Sequence, residues 1–409
     1  MPLAADLVRV AFVEQTGNPP VTPANPIFTV ARLTGETVAF APTTTISAEF
    51  DASGNIRDSI LTGGESTGDL SLEVSDHAAF ETYIEAVLGA AFVADALKNA
   101  PAQRFFLIEK TFPDIPATGS DSYHRFNKSS FGTLTLSIAP GAPINATIGT
   151  LGGELTLGTA IIAGATYPDP GTNPVLVPQD VEVSIAGIAS TACFSSVELS
   201  FDTGSRSIQC IGTLGTKETV RGRLNCTIAA TLYYASDDPV QALIDQSEFS
   251  VRVTLKDNNN NPEYTFLFPR CKATAAPVTA EGTDTDVTVA MEIQALYDEA
   301  TGATVLVARQ PVVPGTPISM SAPVISGTGA VGSVVSMDSG GYWEGTDPIT
   351  YTNSWRDNGA AFVPAETGAA LDMSTAAPAP VAGSVITLIR TATNAIAATP
   401  ATSNALTVV

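Results

Sequence analysis

The side chains best suited to bind a metal or to act in catalysis in this 409-residue sequence are two histidines and four cysteines. A zinc site needs several such ligands at close spacing, and no C-x-x-C pair is present. We therefore predict no metal-binding residue and expect buried, reduced thiols on strands. A disulfide between the second and third cysteines is not expected in a chain made in the cytosol. The cysteines lie far from either histidine in the sequence: Cys193, Cys210, Cys226 and Cys271.

A catalytic Ser-His-Asp or Cys-His arrangement could use only His77 or His124. His77 falls in the first turn of a predicted amphipathic helix, where we expect it to face solvent. His124 lies in an alternating run, and sheet packing is the expected role there. The sequence has no glycine-rich phosphate loop, no G-x-S-x-G and no H-E-x-x-H motif. We predict no catalytic residue, no cofactor and no enzyme.

Acidic pairs are the remaining candidates for ligand chemistry. Asp237 with Asp238, and Asp284 with Asp286, could offer hard oxygen ligands to calcium. Turn and helix-cap chemistry explains both pairs at least as well, and the EF-hand spacing is absent. The run 257–262, Asp-Asn-Asn-Asn-Asn-Pro, is predicted to be a hairpin tip, because asparagine tolerates left-handed turn conformations.

The net charge of this chain is opposite in sign to that expected of a nucleic-acid-binding protein. Nineteen Lys and Arg stand against 41 Asp and Glu, for a formal net charge of −22. Binding to phosphates needs clustered basic residues, so the chain should repel DNA over most of its surface. A soluble acidic protein fits this composition, and so does an acidic wall past which DNA slides. The apolar runs are too short to span a bilayer and residues 1–6 resemble no signal peptide, which predicts synthesis in the cytoplasm and no membrane partner.

Period-two alternation dominates the sequence and predicts an all-β protein with one polar and one apolar face on each strand. The clearest strands are 70–74, 134–138, 181–185, 251–255 and 287–293.

Only two segments have the periodicity of a helix. The first is predicted to be capped by Ser75 or Asp76, with an apolar stripe at i, i+3, i+4, i+7 and i+8. The second opens at Asp238 with Pro239 in its first turn and continues with three apolar residues. The stripes are Phe80, Tyr83, Ile84, Val87 and Leu88, and then Val240, Leu243 and Ile244.

The two helices occupy matching places in an internal repeat at an offset of roughly 150 residues, the size of one ordinary domain. In the order strand, strand, helix, strand, segments 46–51, 68–74 and 104–110 correspond to 197–202, 222–228 and 250–256. Proline-rich linkers at 164–178 and 311–317 frame the copies. The predicted domains are 1–163, 179–310 and 318–409.

The first two domains resemble the tail tube proteins of long-tailed phages, through the combined order of several short stretches. The resemblance implies a small β-sandwich or barrel with one flanking helix, whose sheets join edge to edge around a ring. It fits the first copy better than the second. The matching stretches are 33–36, 56–63, 68–74, the helix ending near Phe92, 123–126, 132–141 and 148–152.

The last stretch, 322–409, resembles an immunoglobulin-like β-sandwich of the kind appended to phage virion proteins. Trp355 would be the core tryptophan of the central strand and Asp357-Asn358-Gly359 the turn after it. The stretch departs from the antibody pattern because it contains no cysteine. The stretches that carry the likeness are 341–345, 351–359, 386–394 and 405–409.

These resemblances predict a virion structural protein of the phage tail, whose subunits form stacked rings and a conduit for DNA ejection. Two tube-type domains per chain predict trimeric rings with pseudo-sixfold symmetry, with a true hexamer as the competing arrangement. Expected partners are further copies of the chain and the tape measure, terminator and distal tail proteins, with DNA passing through without tight binding. The alternatives are a phage decoration or bacterial surface protein with an immunoglobulin-like module, and a carbohydrate-active enzyme with an appended binding domain.

Overall fold

The structure is a computed structural model, and part of the chain is described in it. Two of the predicted features fall largely outside this part: the hairpin tip at 257–262 and the proline-rich joint at 311–317. The described residues are 4–17, 19–50, 53, 55–93, 95–115, 120–188, 193–212, 215–256, 262–280, 282–309, 317–344, 349–394 and 397–409.

Strands make up most of the described chain, together with two α-helices and two short 3₁₀ turns, and this confirms the predicted all-β class. The first copy contains β1 Arg9–Gln15, β2 Thr29–Val30, β3 Gly35–Glu36, β4 Ala39–Ile46, β5 Ser59–Glu73, α1 Ala78–Leu88, β6 Ala96–Lys98, β7 Phe105–Phe112, β8 Ser122–Ile138 and β9 Asn145–Gly158. The second copy contains β10 Glu182–Ile185, β11 Phe194–Asp202, β12 Arg206–Gln209, β13 Thr216–Val220, β14 Asn225–Tyr233, α2 Asp238–Ile244, β15 Phe249–Lys256, β16 Pro262–Ala275, β17 Val278–Thr279, β18 Thr288–Ala295 and β19 Leu306–Arg309. The third unit contains β20 Ile318–Ser321, β21 Val324–Ser326, β22 Val334–Ser339, β23 Tyr342–Glu344, β24 Thr350–Asp357, β25 Ala360–Ala361, β26 Ala370–Asp372, β27 Val385–Thr393, β28 Ala398–Thr402 and β29 Leu406–Thr407.

The internal repeat appears as a repeated order of antiparallel pairings. The first copy pairs β1–β7, β4–β5, β5–β9, β7–β8 and β8–β9. The second pairs β10–β15, β11–β14, β14–β18, β15–β16 and β16–β18 in the same relative order. The prediction that segment 46–51 is the strand equivalent to 197–202 is wrong, because β4 ends at Ile46 and residues 47–50 form no strand. The counterpart of β11 is the β3–β4 region, which pairs with β5 as β11 pairs with β14.

The two copies are joined side by side through their backbones. The second half of β8 pairs antiparallel with β11, from Ile138 opposite Val197 to Thr133 opposite Asp202. The result is one eight-stranded run in the order β4-β5-β9-β8-β11-β14-β18-β16. A second pairing joins β6 of the first copy, which follows α1, to β19 of the second. The first two units therefore form one continuous sheet.

One hydrophobic core spans both copies and lies behind this sheet. In the first copy Phe12, Tyr83, Phe106 and Phe131 pack as a cluster of rings with centroids 4.6–5.8 Å apart. Phe80 of α1 meets Tyr264 of the second copy edge-on at 5.2 Å. Burial of such rings supplies much of the driving force for folding, so the joint between the copies is part of the core.

Helix α1 buries the predicted apolar stripe completely, but its cap differs from the prediction. His77, and not Ser75 or Asp76, is the N-cap residue, and its Nδ1 accepts a hydrogen bond from the Ala79 N–H at 3.2 Å. His77 is half-buried, so the expectation that it faces solvent is wrong. Gly89 closes the helix in the left-handed region, with φ 68°.

Helix α2 begins at the predicted residue, but it is much less buried than α1. Asp238 and Pro239 form its first turn, but Pro239 is its single buried residue. Ile244, predicted on the apolar stripe, is 68% exposed.

The linker 164–178 packs along the first copy. Tyr167 stacks on Phe28, with ring centroids 4.9 Å apart, and donates its hydroxyl to the Glu109 carboxylate at 2.6 Å. Leu176 is buried between the backbones of Val74 and Ile144. The prolines keep this segment out of the sheet, as predicted, while side chains hold it in place.

The third unit has its own core, built from two sheets. One sheet has the order β21-β22-β26, and the other has the order β25-β24-β27-β28 with β29 also on β27. Trp355 on β24 is fully buried between them and donates its indole N–H to the Gly368 carbonyl at 3.1 Å. The predicted turn after it is confirmed, with Asn358 and Gly359 at positive φ and Asp357 paired with Ala360.

The His77 cap generates a pH prediction. Burial, and then the nearby Arg32 charge, hold the pKa of His77 below its ordinary value of 6.5. As the pH falls through 6.5, His77 takes up a proton more readily in the unfolded chain than in the folded chain. Acidification therefore lowers the free energy of unfolding. His77→Asn keeps an acceptor at the cap without titrating. We expect the melting temperature of the wild type to fall relative to that of the variant between pH 7.5 and 5.5, and a difference that stays constant would contradict the assignment.

The buried tryptophan generates a second prediction. Trp355→Ala should destabilise the third unit by roughly 3–5 kcal/mol, the usual cost of removing a large buried aromatic. Hydrogen exchange followed by mass spectrometry should show lost protection in 324–409 and unchanged protection in 9–309. Equal loss in both regions would show that the two cores unfold together.

Candidate functional site

One face of the eight-stranded sheet is not covered by the core. Along each strand apolar side chains alternate with polar ones, and the apolar set is buried: Leu70 and Leu72, Leu134 and Leu136, Val197 and Leu199, Cys226 and Ile228, Met291 and Ile293 are examples. The other set is exposed or half-buried. We call this second side the open face.

The strand register places the open-face side chains in three rows that cross both copies. The first row is Glu73, Asn145, Ser137, Glu198, Ala229 and Glu292. The second row is Ser71, Thr147, Thr135, Ser200, Thr227, Gln294 and Lys272. The third row is Asp69, Gly149, Thr133, Asp202 and Asn225.

Acidic residues dominate the charge of these rows. The rows hold five carboxylates against one ammonium group, that of Lys272 at the edge of the sheet. Neighbouring strands lie about 4.8 Å apart, so Glu73 and Glu198 are separated by roughly 14 Å and Glu198 and Glu292 by roughly 10 Å. These separations exceed the Debye length of about 8 Å at physiological salt, and they are too large for shared ligation of a metal. The carboxylates therefore form a spread negative field.

Short hydroxyl and amide side chains fill the space between the carboxylates, and several bond within the sheet. Gln294 donates to Asn225 Oδ1 at 2.9 Å and to the Cys226 carbonyl at 3.0 Å. Thr133 Oγ1 accepts from the Gly149 N–H at 3.1 Å. Bonds of this kind keep polar side chains close to the backbone of the open face.

The histidines weighed as catalytic candidates do not meet on this face. His77 caps α1, as described above. His124 packs against Phe112, with ring centroids 4.7 Å apart, which confirms its predicted role in sheet packing. Burial, and then Lys110, lower the pKa of His124.

The cysteines agree with the prediction in part. Cys226 and Cys271 are buried on β14 and β16, and burial raises the pKa of each thiol to about 12. A thiol with such a pKa is unreactive at neutral pH. The prediction is wrong for the other two: Cys193 is exposed and Cys210 is half-exposed, and both lie just outside strands.

The acidic pairs show local turn chemistry. Asp237 accepts a hydrogen bond from the Tyr234 hydroxyl, and Asp238 accepts one from Ser236 at 2.8 Å. Asp284 has a positive φ of 68°, as residues of tight turns often do. Within the described ranges no cluster of three or more His, Cys, Asp or Glu residues is placed to hold a metal ion. No helix there is long and apolar enough to cross a membrane.

A second exposed feature is the hairpin formed by the outer ends of β4 and β5. It lies beside the shorter β12–β13 hairpin of the second copy, and Ser207 donates to Glu65 between them at 2.9 Å. Its exposed apolar side chains are Ile46, Phe50, Ile56, Ile60 and Leu61. Exposed apolar residues gathered on one projection are typical of a contact surface.

The alternation along single strands was visible in the sequence, but the open face was not. Glu73 and Glu198 are 125 positions apart, and only the β5-β9-β8-β11 pairing puts them in one row. The sequence signal that could have suggested it is the shared polar phase of Ser71 and Glu73, Thr135 and Ser137, and Glu198 and Ser200.

Comparison with known proteins identifies the family of this chain. No curated protein matches the chain. A family model described as phage tail tube protein matches residues 5–295, which include the open face and both copies apart from β19. This match takes in more than half of the chain. The protein belongs to the phage tail tube protein family and is a structural component of the virion tail.

Proposed function

We propose that this chain builds the wall of the tail tube. Its subunits close into rings, the rings stack, and DNA passes through the lumen during ejection into the host. The observation that carries the proposal is the open face: a continuous, polar, acid-dominated sheet surface shared by both copies.

The open face has the properties that a DNA conduit needs. Phosphates bind proteins through clustered Lys and Arg, and release of their counterions drives that binding. Five spread carboxylates and a single lysine give DNA no such site. The short Ser, Thr, Asn and Gln side chains offer weak, exchangeable hydrogen bonds. The open face therefore repels DNA electrostatically and offers no site that binds its phosphates tightly.

The two copies support a trimeric ring with pseudo-sixfold symmetry. The second copy lies beside the first in the same sheet, as neighbouring positions around a ring would, and not behind it as a collar. If each copy takes one of six equivalent positions, three chains close the circle. The true hexamer, with the second copy outside the first, is the arrangement that this geometry disfavours.

Stacking of the rings fits the β4–β5 hairpin. Its exposed apolar side chains would be buried against a ring of the same protein above or below, which removes them from water. Other tail proteins, such as the tape measure, terminator and distal tail proteins, would meet the same surfaces in the lumen and at the tube ends.

We also propose the division into units at 1–163, 179–310 and 318–409, with the third as an immunoglobulin-like decoration outside the wall. The separate core around Trp355 supports the boundary before 318. The shared core of the first two units implies that they fold together despite the repeat. Synthesis in the host cytoplasm precedes assembly of the tail.

If the open face lines a DNA conduit, reversing its negative charges should create affinity for DNA. The wild-type subunit should show no measurable affinity for duplex DNA at physiological salt, by fluorescence anisotropy. The triple variant Glu73→Lys, Glu198→Lys, Glu292→Lys places cations along one row. We expect it to bind DNA measurably at low salt, with a log–log salt slope of about −3 because three phosphates can be contacted.

The matched control changes the same charge away from the open face. Asp284→Lys, Asp286→Lys, Glu299→Lys alters exposed turn residues and should bind DNA much more weakly than the row variant. Micromolar binding by the wild type, with a steep salt slope, would contradict the conduit.

Ring symmetry is the second prediction of this proposal. Electron microscopy of the assembled protein should show rings of three chains with sixfold-like density, because two copies per chain supply six similar positions. Rings of six chains would contradict the trimer, and the absence of rings and tubes would contradict the proposed function itself.

A further inference from the structure

A cavity of about 740 Å³ lies where the two copies meet, beside the C-terminal end of α1. The first copy contributes the loop 99–101, which follows β6. The second copy contributes the segments 221–225 and 294–297, together with Gly302 and Thr304. Ligand-binding cavities range from roughly 300 to 1,000 Å³, so this one has room for a ligand much larger than a simple ion.

The charge of this cavity is opposite in sign to that of the whole chain. Arg221 and Arg223 line it, and Lys98 lies at its edge. None of the described residues that line it is Asp or Glu. The carboxylate of Asp202, on the strand beside Asn225, accepts a hydrogen bond from its own turn at 2.8 Å and is not among the lining residues. The cavity is therefore a positive site in a protein with a net charge of −22.

The cations of this cavity form no ion pair with a described residue, unlike another cation at the same joint. Arg309 forms ion pairs with both Glu81 and Asp95. Arg221 instead donates to two carbonyls at the end of α1, at 3.2 and 2.5 Å. Burial without a carboxylate partner disfavours its charged form and lowers the pKa of Arg221. A bound carboxylate would supply the missing negative charge.

The cavity also holds hydrogen-bond donors that have no protein acceptor among the described residues. Both of its asparagines already use their oxygen atoms. Asn99 Oδ1 accepts from two backbone N–H groups, and Asn225 Oδ1 accepts from Gln294, so the NH₂ group of each remains as a donor. The full set of such donors is the two NH₂ groups, the Arg223 guanidinium, the Lys98 ammonium and the Tyr297 hydroxyl.

Gly302 allows two of these donors to lie together at one wall of the cavity. A Cβ atom on Gly302 would lie 2.8 Å from Lys98 Nζ and 3.6 Å from the Tyr297 hydroxyl oxygen, so a side chain there would displace the ammonium group. Arg223 and Asn225 belong to a different wall, on the segment that leads into β14. Donors on two walls require a ligand with more than one acceptor group.

We propose that this cavity binds an acidic peptide segment of another protein, with Asp or Glu carboxylates against Arg223, Lys98 and the amide donors. Hydrogen bonds between a cation and a carboxylate are stronger than those between neutral groups. The apolar part of the lining, which includes Leu224 and Leu296, can be covered by a peptide but not by a free phosphate ion. Duplex DNA is too wide for the cavity, and the acidic rows of the open face repel it.

The site is complete in a single subunit, because both of its walls belong to one chain. The proposal therefore goes beyond the proposed tube and does not depend on ring formation.

Binding of a fluorescent peptide to the isolated full-length subunit tests the site. The probe is a hexapeptide of alternating Glu and Ala, and the control probe has Gln in place of each Glu. By fluorescence anisotropy at low salt, we expect saturable binding of the Glu probe and none of the Gln probe, although the net charge of the subunit repels the former. Binding of the Glu probe should weaken as salt is raised.

Variants locate the binding within the cavity. Arg223→Gln removes a charge and donors from an exposed side chain, and we expect it to weaken binding of the Glu probe by about ten-fold, as loss of a charge-assisted hydrogen bond does. Tyr297→Phe removes a neutral donor and should weaken binding by a smaller factor. Lys217→Gln is the matched control, because it removes the same charge from an exposed side chain of β13 outside the cavity and should leave binding unchanged. Equal melting temperatures would show that all variants are folded.

Several results would overturn the proposal. Equal binding of both probes, or equal losses in Arg223→Gln and Lys217→Gln, would show that binding does not depend on the charge of this cavity. Displacement of the Glu probe by equimolar inorganic phosphate would identify a simple anion site, and displacement by duplex DNA would identify a nucleic-acid site. Self-association of the subunit that Arg223→Gln abolishes would assign the cavity to a second copy of this chain.

Discussion

Backbone pairing between β8 and β11 is the interaction on which the rest of the structure depends. It turns two repeated units into one sheet, and it aligns their polar rows and closes a single core behind them. The pairing runs through main-chain hydrogen bonds, which are indifferent to side-chain identity. The joint can therefore tolerate the low similarity between the copies. Specificity comes instead from side chains at α1, where Arg221, Arg309 and Tyr264 reach across.

An unpaired strand edge is normally a hazard, because it can pair with any other exposed strand. In the eight-stranded run of the first two units, the outer edges belong to β4 and to the 272–275 stretch of β16. The β4 edge continues into a hairpin with exposed apolar side chains, and the β16 edge is short.

The division of the sheet into two faces links folding to function. The buried alternate positions supply the hydrophobic driving force, and the same alternation leaves Glu73, Glu198 and Glu292 on the other side. A change of one residue in register would reverse the two faces, so core packing also fixes the chemistry of the open face. The acidic charges of the open face cost the fold little, because they are spaced beyond the screening length.

The sequence by itself determined the class of structure, the positions of the two helices, the repeat, and the absence of basic patches, because alternation, capping and composition are local signals. It also predicted the buried Trp355 and the Asn358-Gly359 turn, for the same reason. It misassigned the first-copy strand at 46–51, the cap at His77 and the burial of Ile244. Those outcomes depend on which distant segment lies alongside, as Arg32 does at His77. Only the tertiary structure could place Glu73 and Glu198 in one row, because strand order across 125 residues is set by pairing between the copies, and the polar phase of each strand does not say which strands are neighbours.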